Sequence, residues 1–142
     1  MNSFNELNGI PATGNSFLQK DILKGDWNFK GFVVSDWGSI GEMIAHGYTK
    51  DLKSAAKSAI TAGCDMDMMS STYILNLKSL VDKNQIKINL IDDAVKRILY
   101  LKYDLGLFKD PFKYCSEDRE NKNILNAQNR KISLDIAKEA IV

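Results

Sequence analysis

The chain has little of what most metal-binding and redox modules are built from. Among its 142 residues are one histidine, His46, two cysteines, Cys64 and Cys115, and two prolines. One histidine is too few ligands for a metal site, and two cysteines so far apart fit no metal-ligand spacing. They read as two separate thiols. No stretch approaches the roughly 20 apolar residues of a transmembrane helix. Charge of neither sign dominates, since 19 basic and 18 acidic residues leave a formal net charge of +1. Nothing there points to nucleic acid or an anionic surface as a partner. No glycine-rich loop stands at a strand-to-helix turn, which weighs against an open-sheet phosphate-binding domain. No metal, cofactor, nucleic acid or membrane is therefore expected. No secretory signal follows Met1, where the chain runs directly into Asn2-Ser3-Phe4-Asn5.

What is present is a globular composition, 44% hydrophobic and 26% charged, organised around Gly31-Phe32-Val33-Val34-Ser35-Asp36-Trp37-Gly38. Phe32, Val33 and Val34 form a short continuous apolar run, the pattern of a strand buried on both faces of a parallel sheet. The run stops at a carboxylate, then a large aromatic and a glycine. In α/β barrels the C-terminal ends of the strands line the active site. Asp36 there is a chemical candidate, and Trp37 offers a flat apolar face to a ring-shaped ligand. The alternative is that Asp36 merely caps the following helix or loop.

Taken in order, Met1 to Leu7 reads as a short strand and Asn8 to Gly14 as a loop punctuated by Asn-Gly and Pro. Asn15 or Ser16 can cap a helix through about Lys24, with Leu18 and Ile22 on one face and Gly25 as its stop. The strand over Gly31–Ser35 leads into a polar loop from Gly38 to Lys50. Leu52, Ala55, Ala56, Ala59 and Ile60 follow at helical spacing, a narrow small-residue stripe suited to close packing, and Gly63 ends it. Cys64 to Met68 is a candidate third strand. Tyr73, Leu77, Leu80 and Val81 define the next helix. Asn89 is placed to cap another, with Ile91, Val95, Ile98 and Leu99 along one face and Gly106 as its break. Leu107 to about Asn123 reads as a linker, and Ala127 to Val142 as a last helix with Ile132, Ile136 and Ala140 on one face. Trp27, Met66 and Met69 read as packing residues, and Lys96 and Arg97 as a solvated face.

Three strand–helix units in succession argue a parallel α/β arrangement, part of an open sheet or of a barrel. An eight-unit barrel needs about 250 residues. As a barrel, this chain would be a fragment and Met1 not a natural start.

Several blocks in order resemble the glycoside hydrolase family 3 β-glucosidases. They are Ser3-Phe4-Asn5-Glu6-Leu7-Asn8-Gly9-Ile10-Pro11-Ala12, the run from Trp27 to Trp37, Ala62-Gly63-Cys64-Asp65-Met66-Asp67-Met68, and Ala94-Val95-Lys96-Arg97-Ile98-Leu99 with Leu105-Gly106-Leu107-Phe108. The resemblance covers residues 1–110, and the terminal helix resembles the stretch leading into that family's second domain. It implies a partial TIM (β/α)8 barrel, about the last three strand–helix units over 1–108, then a linker and the start of a second domain over 109–142.

The resemblance further implies retaining hydrolysis of terminal β-D-glucosyl residues, with Asp36 as nucleophile forming a covalent glycosyl-enzyme. Such a carboxylate must be ionised, so hydrogen-bond donors should surround it. Trp37, Phe4 and Met68 would meet the substrate, a β-glucoside or oligosaccharide. Phe4 stands where many family members carry Tyr and lacks its hydroxyl. Ser35-Asp36-Trp37 favours the β-glucosidase and β-xylosidase branch over the one that removes N-acetylglucosamine. The second carboxyl, about 5–5.5 Å from the nucleophile in a retaining enzyme, comes in that family from the domain after the barrel. None of Glu6, Glu42, Asp65 and Asp67 replaces it by motif: Glu42 reads as a solvated helix residue, and Asp65 and Asp67 as groups that order loops. His46 reads as structural or rim-lining. The chain alone is expected to be inactive and to self-associate through exposed barrel edges, its parent being periplasmic or secreted. The competing reading is a non-catalytic α/β module that binds carbohydrate or a partner protein, which a well-behaved monomer with cooperative melting would favour.

Overall fold

Asn8 and Gly9 both take left-handed φ angles, +54° and +75°, the pair of conformations a two-residue hairpin turn demands. In the computed structural model, which describes residues 1–141, this turn joins β1 (Glu6–Leu7) to β2 (Ile10–Pro11) in antiparallel register. The strand expected over Met1–Leu7 is thereby corrected. Only its last two residues form a ladder, and they pair with the next few residues because the Asn-Gly turn folds them back. Two compact units follow from the chain, Met1–Leu105 and a second from Gly106 onward.

Within the first unit, a 3₁₀ turn (Ala12–Gly14) leads into a wide π-helix over Phe17–Asp26. The Asn15 side chain does the capping, accepting from Leu18 N at 3.1 Å. Gly25 does not stop this helix. The bonding closes five residues back, as in Trp27 N to Ile22 O at 2.9 Å, and Gly25 lies inside it with the Lys20 carbonyl 3.1 Å from where a Cβ would stand. The chain turns away only at Asn28, φ +53°. Leu18 and Ile22 do share a face, lining an apolar cavity with Phe29 and Phe32.

The expected polar loop after Gly38 instead contains a short helix, α1 (Ser39–Glu42), and two of the most deeply buried side chains, Ile40 and Met43. The glycines and charges of 38–50 obscured two apolar residues three apart, enough for one turn of helix to bury. The helix α2 (Leu52–Ala62) is as its stripe predicts. Ala55, Ala56, Ala59 and Ile60 are buried, whereas Leu52 at its start is exposed. A capping box opens α2: Ser54 N donates to Asp51 Oδ1 at 2.7 Å and Asp51 N to Ser54 Oγ at 3.1 Å. Hydrogen bonds from the Ser54 amide and side chain hold the Asp51 carboxyl below its ordinary value. Gly63, at φ +104°, ends the helix.

Packed against α2 is α3 (Thr72–Asp82), with Tyr73 and Leu80 turned into the core and Leu77 and Val81 flanking it. The next helix, α4 (Ile88–Asp104), starts one residue before the expected cap. Lys87 is its N-cap, and Asn89 lies inside the first turn with no capping bond. Ala94 is its buried contact, while Val95 and Leu99 stay exposed. Trp27, expected in the core, is 73% exposed.

The second unit contains α5 (Glu117–Asn123) and α6 (Ala127–Ala140). The expected linker is therefore partly helical. Arg119 N donates to Ser116 Oγ at 3.2 Å, and Glu117, Asp118 and Glu120 complement the positive helix start. α6 is capped by Asn126, which accepts from Asn129 N at 2.8 Å; Ile132 and Ile136 are exposed. Val142 lies outside the described residues. Among those described, no helix is long and apolar enough to cross a membrane. Cys64 and Cys115 are both free thiols, one buried and one exposed.

Burial pushes the Cys64 thiol up from 9.0 to about 12 and holds the Tyr73 phenol well above 10.0. Both groups hold their protons more tightly folded than unfolded, so their effect on stability is absent below pH 9.0 and destabilising as pH rises toward about 12. Lys24, lowered by burial, acts in the opposite sense on the way to 10.5. Melting temperature is expected to fall from pH 9.0 toward about 12, and Cys64→Ala to flatten the early part of that fall. An unchanged curve in the variant would show that Cys64 does not carry it.

Candidate active site

Two extended segments, 32–36 and 64–68, run side by side, with Val34 and Met66 as parallel partners. Val33 O accepts from Asp65 N at 2.8 Å and Met66 N at 3.1 Å, and Met66 O accepts from Ser35 N at 2.9 Å. Gly38 N then donates to Met68 O at 2.9 Å. The register brings Asp36, Trp37 and Met68 to the same end of the pair. Of the apolar run, Val33 is buried while Phe32 and Val34 are half-buried, so the segment is not sealed on both faces as its composition suggested.

Asp36 is held mainly through its backbone. Its N–H donates to Asn2 Oδ1 at 3.2 Å, and its carbonyl accepts from Ser35 Oγ at 2.9 Å and Ser39 N at 3.2 Å. One carboxylate oxygen, Oδ1, accepts from Trp37 N at 2.7 Å. The carboxylate does not cap α1, whose N-cap is Gly38 at φ +70°. It is half-buried at the end of an extended segment, with one of the expected hydrogen-bond donors in place. Trp37 is 62% exposed, its indole turned largely to solvent, and Met68 is half-buried. Phe4 is exposed two residues from Asn2, the residue that grips the Asp36 peptide.

The remaining carboxylates are occupied otherwise. Asp67 orders the turn after its segment, accepting from Ser70 Oγ at 2.5 Å and from Tyr73 N, near the start of α3, at 3.1 Å. Asp65 is buried and accepts from Val33 N at 2.8 Å, Lys24 Nζ at 2.7 Å and Arg97 Nη1 at 2.8 Å. Arg97 is therefore not on a solvated face; it and Lys24 neutralise a charge that could not stay buried unpaired. Lys96 does lie on the surface. Glu6 Oε1 lies 2.6 Å from His46 Nδ1, tying the loop after the candidate carboxylate to the hairpin, and Glu42 is exposed. Among the described residues, no group of three or more His, Cys, Asp and Glu side chains is arranged to hold a metal ion.

This arrangement has known counterparts. The family described as "Glycosyl hydrolase family 3 N terminal domain" matches residues 1–101. The chain belongs to glycosyl hydrolase family 3. It is 39% identical over 145 residues to a periplasmic beta-glucosidase of Salmonella typhimurium, covering 100% of this chain and 19% of that protein. A beta-xylosidase of Formosa agariphila is 34% identical over 145 residues, covering 96% and 20%. Among solved structures, a beta-glucosidase from Listeria innocua in complex with isofagomine superposes with a TM-score of 0.82 at 43% identity, over 91% of this chain and 18% of that one. The same enzyme has been solved with glucose. The chain thus spans about a fifth of the length of these relatives, and within the family it is a mostly helical α/β segment.

Asn2, Ser35 and the Lys24 and Arg97 partners of Asp65 are the contacts that sequence reasoning did not reach; Asp65 itself reads there only as a loop-ordering group. Ser35 had a local signal, a small polar residue between an apolar run and a carboxylate. The partners of Asp65 had none, because they lie 41 and 32 residues from it in sequence.

Removing the Asp67 carboxylate should act on stability, since it serves as a non-local cap of α3. Asp67→Ala is expected to cost about 1 kcal/mol and to speed amide exchange at Tyr73 and its neighbours. Unchanged exchange there would contradict the capping role.

Proposed function

We propose that this chain is the later part of the barrel domain of a retaining β-glucosidase, with Asp36 as its nucleophile. The observation that carries the reading is Asp36 at the end of a parallel-paired segment, with Trp37 and Met68 emerging beside it. In this reading Asp36 attacks the anomeric carbon of a terminal β-D-glucosyl residue as the bond to the aglycone oxygen breaks. That oxygen takes its proton from a carboxylic acid outside these 142 residues. The same group then deprotonates a water, which attacks the anomeric carbon and releases Asp36. Trp37 walls or stacks on the sugar, and Phe4 and Met68 pack around it.

The partial-barrel reading, three strand–helix units over 1–108 with 109–142 leading into a second domain, draws support from the surface as well as from the relatives' length. A cavity of about 450 Å³ is lined by Leu18, Ile22, Trp27, Phe29 and Phe32. Gln19 also lines it, almost fully buried, with Nε2 bonded to the Ala12 and Thr13 carbonyls and Oε1 without a partner. An apolar face of this kind is what a barrel wall shows where further barrel elements would cover it. With the acid/base carboxyl outside these residues the isolated chain is inactive, and it self-associates through that apolar face. The Salmonella relative's name supports a periplasmic or secreted parent. A β-xyloside is the second reading for substrate, favoured by the relative named a beta-xylosidase.

The test is Asp36→Gly in the full-length enzyme, assayed on aryl β-glucosides and β-xylosides. Activity is expected to fall on the order of a thousandfold or more, as when a covalent nucleophile is removed elsewhere. Azide should then restore turnover from the vacated face, giving the α-glycosyl azide. Retained activity, or a β-azide product, would overturn the assignment, and the preferred sugar decides between glucoside and xyloside.

A further inference from the structure

We propose that Ser35 and Asn2 are positioning residues that hold the Asp36 peptide from its two sides, so that its carboxylate faces the sugar at a fixed angle. The inference rests on Asp36 being the nucleophile. Ser35 is completely buried, and its hydroxyl spans the two paired segments: Oγ donates to the Asp36 carbonyl at 2.9 Å and accepts from Met68 N at 2.8 Å. That single hydroxyl fixes the carbonyl side of Asp36 to the backbone of Met68, at the end of the neighbouring extended segment. On the other side, Asn2 reaches the amide. Its own N–H donates to Val34 O at 3.0 Å, its Oδ1 accepts from Asp36 N at 3.2 Å, and its Nδ2 lies 3.7 Å from Cys64 Sγ. Thr13 Oγ1 stands 3.3 Å from the same Asn2 Oδ1 and 2.9 Å from Ser39 Oγ, which steadies the carboxamide.

Beyond Trp37 the chain passes into a left-handed turn at Gly38, so the regular ladder does not carry the Asp36 peptide onward. Its N–H is taken by a side chain, and its carbonyl is shared between the Ser35 hydroxyl and Ser39 N. With neither Ser35 nor Asn2 in place, the peptide could rotate and swing the carboxylate away from the line of attack. Sugar binding through Trp37 and the rest of the subsite would survive such a rotation. The signature is therefore a loss in kcat with binding kept.

The experiment uses the full-length enzyme with its native residues, Ser35→Ala, Ser35→Thr, Asn2→Leu and Asp36→Gly. For each, kcat on an aryl β-glucoside is measured with the inhibition constant for glucose and the melting temperature. Ser35→Ala and Asn2→Leu are each expected to lower kcat about tenfold to a hundredfold, with the glucose inhibition constant within about threefold of native. Ser35→Thr, which restores a hydroxyl, should recover most of the rate. Because Ser35 is fully buried, Asn2→Leu is the independent arm should Ser35→Ala fold poorly. A native kcat in Asn2→Leu or in folded Ser35→Ala would overturn the proposal, as would equal losses in kcat and glucose binding. Native activity in Asp36→Gly would instead overturn the assignment of the nucleophile on which it rests.

Discussion

One buried carboxylate does the most to fix the shape of the first unit. Asp65 is almost fully enclosed and receives three donors: the Val33 amide, the Lys24 ammonium and the Arg97 guanidinium. These come from the neighbouring extended segment, the π-helix and α4. A charge taken out of water is tolerable only when paired and fully hydrogen-bonded, so the three elements must converge on it. The parallel register of 32–36 against 64–68 follows, because the same Asp65 that accepts from Val33 N through its side chain donates to Val33 O through its backbone. Once the register is set at that end, Asp36 and Met68 are committed to the other. Structural charge and candidate nucleophile thus sit at opposite ends of one pair of extended segments.

The sequence was most legible where a single element decides its own structure. The alanine stripe of α2 with Gly63 behind it, the Tyr73-Leu77-Leu80 face of α3, and the Asn15 cap all depend on residues within one turn of one another. Legibility failed where distant groups decide. Arg97 reads as solvated because its partner Asp65 is 32 residues away. Trp27 reads as core because size and apolarity predict burial, whereas here it lines an open cavity and is largely exposed. Ile40 and Met43 were hidden in a stretch whose glycines and charges suggested only loop, and the helix of α5 was hidden by polarity, its stabilisation being a cap and charges near its start.

For the candidate site, the position of Asp36 was readable because an apolar run ending in a carboxylate is a local pattern. Trp37 follows it in sequence, whereas the placement of Met68 beside it needed the pairing of two segments about thirty residues apart, which the parallel register supports. The hydrogen bonds that hold the Asp36 peptide were not readable at all. They depend on Asn2, which nothing in the sequence marks out, and on a serine hydroxyl whose two partners belong to different segments.

The measurement that bears most directly on the account is mass spectrometry of the full-length enzyme after trapping with a 2-deoxy-2-fluoro-β-glucosyl fluoride. The fluorine slows breakdown of a glycosyl-enzyme, and fluoride leaves with little acid assistance. The account predicts one fluoroglucosyl adduct, on the peptide that contains Asp36. An adduct on any other carboxylate, Asp65 and Asp67 included, or an active enzyme that forms none, would contradict it.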